Sequence, residues 1–360
     1  MGTITSDNNF GVAKLIVDNV TGQGNYTTIA AALTAASSGD TIFIRSGTYT
    51  ENPTLKSGVN LCTFDCDALT PNVNIVGKMT ATFTGTVSIS GICLSTNSDY
   101  IIESTGSSST ILNLENCYLN MTNFSGIHST NTNFQLNIVK SKGDRATTGI
   151  RIVSMSAGTV ALRYCTFTNS GGGTTTEDIS GGQLFSIFTT LTNGVNCSST
   201  GNINFRYVFF SAPSGVIPLT STSSSICVLY YCNLTVGGAV ECINTTGSGA
   251  VRLWGSNIIE STATYAITGT GPVIYDLMTS GNNNSNLDPG LSITSRRIYT
   301  GQIDLGGGNV RIQSGSGSPN GSVSAPKGSL FLRTDGSSTS TRAYINTNGG
   351  TTWTAITTVA

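Results

Sequence analysis

Residues Leu112 to Leu119 read LNLENCYL, with apolar side chains at Leu112 and Leu114, a two-residue interruption, a small residue at Cys117 and an apolar one at Leu119. A chain shows this figure when one strand points every second side chain inward, turns a corner and starts another strand. The figure recurs as Val87-Ile89-Ile92-Leu94, Phe134-Leu136-Val139-Ser141, Val160-Leu162-Cys165-Phe167, Ile203-Phe205-Val208-Phe210, Cys227-Leu229-Cys232-Leu234 and Val251-Leu253-Ser256-Ile258. Its second anchor advances by 25, 22, 26, 43, 24 and 24 residues. A period near 24 identifies a solenoid, in which each repeat is one coil of two or three short strands. Such a coil cannot bury its apolar side alone, so coils stack as parallel strands at about 4.8 Å each. A glycine followed by a short apolar strand supports this at Gly126-Ile127, Gly149-Ile150, Gly182-Leu184, Gly215-Val216 and Gly238-Val240. The 43-residue interval is expected to be one coil carrying extra loop, Asn169 to Gly181 and Thr189 to Gly201, around its second strand.

Composition agrees. Of 360 residues 43 are glycine and 10% are charged, while 38% are hydrophobic, enough to fill a core. Gly, Ser, Thr and Asn supply turn conformations and compete with helical bonding, so the chain reads as all-β. Seventeen basic and eighteen acidic residues leave a net charge of -1. That gives no field for nucleic acid or an anionic membrane surface, and neither partner is expected. A single histidine, His128, excludes multi-histidine metal sites and is read as a structural polar residue beside Gly126-Ile127. No apolar run approaches the roughly 18 residues of a membrane span, so no membrane insertion is expected. Met1 to Phe10 lacks the basic and apolar regions of a secretory signal, and the chain is expected to be made in a cytoplasm and not to leave it by the general secretory route.

An open stack of strands exposes an edge at each end and needs a cover. Tyr26 to Ala36 places Ile29, Ala32 and Leu33 on one helical face, with Ser37-Ser38-Gly39-Asp40 as a stop before the strand Thr41 to Ile44. The run NYTTIAAALTAASSGDTIFIRSGTYTE, Asn25 to Glu51, resembles the opening segment of the pectin-lyase-like superfamily of right-handed parallel β-helices. With the coils, this resemblance covers about residues 15 to 285. It implies the fold and not one activity, because the superfamily includes lyases, hydrolases, epimerases and phage tailspikes. After Asn284 the repeat stops, and Gly306 to Gly321 reads as a linker. Beyond it, Gly328 to Thr334, Thr341 to Asn346 and Thr351 to Thr358 read as a three-strand meander, marginal alone. Pro326 to Ile356 resembles a small module at the carboxyl end of phage and viral tail, fibre and spike proteins. That resemblance implies that three chains share it, or that it packs on the open end of the solenoid. The expected organisation is an arm at 1–25, a single-stranded right-handed parallel β-helix with a helical cap at 26–290, and a β-rich module at 291–360.

The nine cysteines follow the repeat. In the inward column Ile92, Cys117, Val139, Cys165, Val208, Cys232, Ser256 they take alternate coils, about 9 to 10 Å apart, beyond the roughly 7 Å a disulfide bridges. They are read as small buried hydrophobes of a chain folded in reducing conditions. Cys62 and Cys66 sit four apart in extended chain, and no metal or other cofactor is expected. Cleaving a glycan needs paired carboxylates, or a carboxylate with a base. The outward column reads Ser90, Glu115, Asn137, Arg163, Arg206, Tyr230, Trp254. The catalytic candidates are therefore Glu115 and Arg163, with the Glu177-Asp178 pair on the long loop of Arg163's own coil. The paired aspartates and His-Gly motif of polygalacturonases and the dense Asp cluster of pectate lyases have no counterpart, so the resemblance carries no catalytic residue onto this chain. Tyr230 and Trp254, with Tyr231 beside them and Arg206 and Arg252 nearby, form either a sugar platform or the seam between subunits, and the seam is the reading adopted.

Scarce carboxylates and one histidine place structure ahead of catalysis. The expected function is a homotrimeric virion spike, fibre or tail-associated protein that presents a rigid surface to other virion proteins or to a host surface glycan. The competing expectations are a tailspike-like polysaccharide depolymerase, hydrolase or lyase, and a carbohydrate-binding surface protein.

Overall fold

The computed structural model is a right-handed parallel β-helix followed by a small β unit. It describes residues 15–277, except for 64–71, 122–123, 146–151, 170–176, 180–181, 193–194, 198–201, 213–215, 223, 225, 237–240, 247, 261–266 and 271–272. It further describes 302–305 and 310–357. Three parallel sheets form the solenoid, with 12, 10 and 9 strands. One coil shows the logic: Thr110–Glu115 lies in the first sheet, Tyr118–Met121 in the second and Ser125–Ser129 in the third, and Phe134–Val139 re-enters the first. Leu112, Leu114, Leu119 and Ile127 are fully buried, so every coil contributes the same inward positions to one core. That column of apolar contacts holds coils together, because no single coil has a second layer of its own.

The helical cap spans Ile29–Ala35 and buries Ile29, Ala32 and Leu33, the face read from the sequence. Thr28 caps it by accepting from the Ala31 N–H. A carboxylate 22 residues away does more: Glu51 accepts from the Ile29 and Ala30 N–H groups at 2.8 Å each. At the other end the Lys56 ammonium donates to the carbonyls of Ala36 and Thr34. Ile16–Val17, within the segment read as an arm, pairs parallel with Thr41–Ile44 as the first strand of the first sheet.

The structure corrects the repeat in two places. Leu112 pairs with Leu136 and Leu114 with Ile138, so the third copy runs Leu136-Ile138-Ser141-Gly143, two residues later than the apolar pattern places it. Phe134 misleads because it is buried just ahead of the true anchor, where its neighbour has Thr110. Gly143 then replaces an apolar residue because a Cβ there would lie 2.8 Å from the Phe167 ring. The second correction removes the oversized coil. Leu162 pairs with Ser186 and Ser186 with Phe205, so a complete coil, with strands Gln183–Ile187, Thr190–Leu191 and Val195–Cys197, occupies the 43-residue interval. Its second anchor is a serine and its post-corner residue is Thr189, which hid it from an apolar search. Gly182 accordingly opens a first-sheet strand, and Gly149, Gly215 and Gly238 lie outside the described residues.

Residues Arg296–Ala360 form a separate compact unit. Its sheet has five strands in chain order: Gln302–Leu305, Val310–Gly315, Leu330–Arg333, Ala343–Asn346 and Trp353–Ile356. The expected three-strand meander is therefore too small. Val310–Gly315, within the stretch read as a linker, is a strand parallel to Leu330–Arg333, and its neighbouring glycines masked the alternation. Phe331, Tyr344, Trp353 and Ala325 form its core, and the Trp353 indole donates to the Val323 carbonyl at 2.7 Å.

Candidate binding face

Eight consecutive coils leave the first sheet through one residue with φ near +50° to +70°: Gly91, Asn116, Lys140, Tyr164, Phe188, Tyr207, Tyr231 and Gly255. Only glycine and asparagine enter this left-handed region readily, and other side chains are strained there by about 1–2 kcal/mol. The residue two positions beyond each first-sheet end explains the cysteines. Cys117, Ser141, Cys165, Thr189, Cys232 and Ser256 each donate to the carbonyl two residues back, at 2.9–3.4 Å. A small side chain with an S–H or O–H therefore seals the corner from inside, and cysteine and serine are interchangeable in that role. Burial pushes the Cys117 and Cys232 thiols up to about 12, which makes them inert as nucleophiles. Cys62, Cys93, Cys117, Cys165, Cys227, Cys232 and Cys242 are free thiols, and Cys66 lies outside the described residues.

On the outside of the corner, four consecutive coils place aromatic rings in the strained position. Tyr164, Phe188, Tyr207 and Tyr231 are 59%, 49%, 51% and 50% exposed. Their rings stack at 5.3, 5.0 and 5.4 Å with interplanar angles of 10° or less. Stacking at about 0.5–1.5 kcal/mol per pair offsets part of the backbone strain. It also occupies the ring faces, so the ladder offers edges and phenol hydroxyls to a partner, and a sugar ring has no face to lie on between the rungs. The ladder stops at Gly255, where a Cβ would approach the Tyr231 ring to 2.7 Å.

Beside the ladder runs the outer face of the first sheet. Its last outward column, corrected for register, is Ser90, Glu115, Val139, Arg163, Ile187, Arg206, Tyr230, Trp254. Asn137 belongs one column in, where Asn113 donates to Ser88 and Asn137 donates to Asn113 at 2.9 Å. Ser88, Ser90, Asn113, Asn137, Glu115 and Arg163 line a depression of about 560 Å3. A second depression, of about 180 Å3, shares Arg163 and continues past Phe185 and Ile187 to Arg206. Further along, the Arg206 guanidinium sits 5.2 Å from the Tyr230 ring centre, and Tyr230 lies 6.2 Å from Trp254 at a tilt of 40°. Arg252 follows one column in, beside Val228.

Of the sequence-derived catalytic candidates, Glu115 and Arg163 line one depression at the expected two-strand spacing, while Glu177 and Asp178 belong to another sheet. Glu115 and Arg163 are two strands apart with Val139 between them, about 9–10 Å along the sheet. Glu115 pairs instead with the Lys140 ammonium at 3.7 Å. Glu177–Ile179 is a third-sheet strand rather than loop, so Glu177 and Asp178 belong to a different sheet from Glu115. His128, also in the third sheet, stacks on Tyr100 at 4.5 Å. Among the described residues no group of three His, Cys, Asp or Glu side chains could hold a metal ion, and no helix is long and apolar enough to cross a membrane. Tyr231 lies next to Tyr230 and donates its N–H to the Trp254 carbonyl at 2.8 Å, but its ring stands on the corner, in the ladder.

No protein-family model and no curated protein matches the chain. Among solved structures it is similar to a pectin methylesterase from carrot, at 11% identity over 82% of this chain and 90% of that one, with a TM-score of 0.39. It is also similar to the pectin methylesterase of Aspergillus niger, at 13% identity over 80% and 92%, with a TM-score of 0.38. The mannuronan C-5 epimerase A-module of Azotobacter vinelandii follows at 11% identity over 74% and 91%, with a TM-score of 0.32.

Missed from the sequence were the corner ladder and the amide row. The signal existed, because Tyr164, Phe188, Tyr207 and Tyr231 each precede the post-corner residue. It is readable only once the Ser186 coil is counted.

Proposed function

We propose that this protein is a non-catalytic attachment protein of a virion that presents a rigid β-helical surface, and that it engages a saccharide along the outer face of its first sheet. The observation that carries the saccharide reading is the depression around Asn113, Asn137 and Arg163. Its floor is a hydrogen-bonded Ser88–Asn113–Asn137 row, and among the described residues no carboxylate pairs with Arg163. Neutral amides and hydroxyls offer donors and acceptors in matched numbers, which suits a hydroxyl-rich ligand. An uncompensated guanidinium adds affinity for a ligand carrying carboxylate or sulfate groups. The virion placement, made in a host cytoplasm and assembled with other virion proteins, rests on the resemblance of residues Pro326 to Ile356 to viral tail and spike modules.

Titration calorimetry against a panel of bacterial and algal polysaccharides, with reducing-end release measured in parallel, tests this reading. Binding without cleavage, weakened at least tenfold in Arg163→Gln, is the expected result. Absence of binding to every member of the panel sinks the saccharide reading. Cleavage that disappears in Glu115→Gln or Glu177→Gln replaces it with the depolymerase reading, which the presence of Glu115 in the same depression as Arg163 favours next.

A further inference from the structure

We propose that the corner ladder is the surface through which one copy of this chain docks on a second copy. The inference stands apart from the saccharide reading, since it uses the corner and not the amide-lined depression. Four aromatic rings occupy backbone positions that suit glycine or asparagine better, and they do so on the outside of the molecule, where the core gains nothing from them. Strain retained at an exposed site points to a use for the side chains that impose it.

Area and periodicity name the partner. Phe209 and Trp254 flank the ladder and are 42% and 38% exposed. At roughly 200 Å2 per aromatic side chain, the six leave on the order of 600 Å2 of apolar surface open. That is the upper end of what a monomer ordinarily exposes, and the lower end of what each partner buries in a stable pair. The rungs repeat at 5.0–5.4 Å along the solenoid axis, set by the coil rise. A surface that meets ring edges rung for rung must carry the same repeat, and another coil stack of this chain does. The ladder itself carries no charge. Lys140 precedes it at the corner, and Arg206 is engaged by the Tyr230 ring, so apolar contact is not opposed along its length.

The test replaces all four rungs with the residue the backbone prefers: Tyr164→Asn, Phe188→Asn, Tyr207→Asn and Tyr231→Asn together in the full chain. Multi-angle light scattering at micromolar concentration should give the parent chain a mass that is an integral multiple of 37.2 kDa, and the variant a mass of 37.2 kDa. Its far-ultraviolet circular dichroism should be unchanged, because asparagine accepts the left-handed conformation. A monomeric parent overturns the proposal, as does a folded variant that keeps the parent's mass. Should the fourfold variant not fold, Phe188→Lys alone must raise the concentration at the association midpoint at least tenfold, and an unchanged midpoint likewise overturns it.

Discussion

Ser186 is buried among apolar neighbours, stacked between Leu162 and Phe205, and its hydroxyl has no hydrogen-bond partner. A buried hydroxyl left unpaired costs about 1–3 kcal/mol. Ser186→Ala removes that cost with little loss of volume, so it should stabilise the solenoid by about 1 kcal/mol, read as a higher urea midpoint with unchanged slope. A lower midpoint would mean that the hydroxyl is satisfied in solution. The serines and cysteines after the corner are of the opposite kind, since each finds the carbonyl two residues back. A sequence reading sees cysteine there as a small hydrophobe, which is correct for burial. It cannot see that the thiol is also a donor, because the acceptor is a backbone carbonyl exposed by the left-handed turn and not a side chain.

Among elements, the helical cap depends on a residue outside it. Glu51 satisfies two of the first N–H groups of Ile29–Ala35 and places a negative charge at the positive end of the helix. Glu51→Ala should cost about 1–2 kcal/mol. The loss should appear first as amide exchange of the cap residues and then in the global unfolding midpoint. Unchanged exchange at Ile29 and Ala30 would show that the carboxylate is dispensable. The helix and its buried face were legible in the sequence because they depend on a spacing of three and four residues. Its main cap was not, because Glu51 reaches it across two intervening strands. The same limit hid the coil at Gln183–Ile187, which the first sheet accepts because its pairing partners on both sides hold the backbone in register, whatever its anchor residue is.

At the scale of the whole molecule, cohesion comes from stacked apolar columns and parallel backbone ladders, with four ion pairs among the described residues. The net charge is -1, and the Glu115–Lys140 pair is more than half exposed at both ends. Surface pairs of this kind contribute about 0–1 kcal/mol and are screened by salt. The thermal midpoint should therefore move by no more than about 2 °C between about 0.01 M and 0.15 M salt. A larger shift would place stability in electrostatics. Glycan binding through Arg163, by contrast, should weaken over the same range if the ligand is anionic.

The sequence by itself determined the architecture, because a 24-residue return of alternating apolar side chains has one economical solution: parallel coils around a shared core. It also determined the capping helix and the burial of Cys117, Cys165 and Cys232, since both follow from local spacing. Only the tertiary structure decided which residues face one another. Register in a stack is set by neighbouring backbones, and a shift of two residues keeps every side chain on its face while changing its column. That is why Asn137 moved beside Asn113, Glu115 and Arg163 lost their supposed neighbour, and Tyr164, Phe188, Tyr207 and Tyr231 became a ladder.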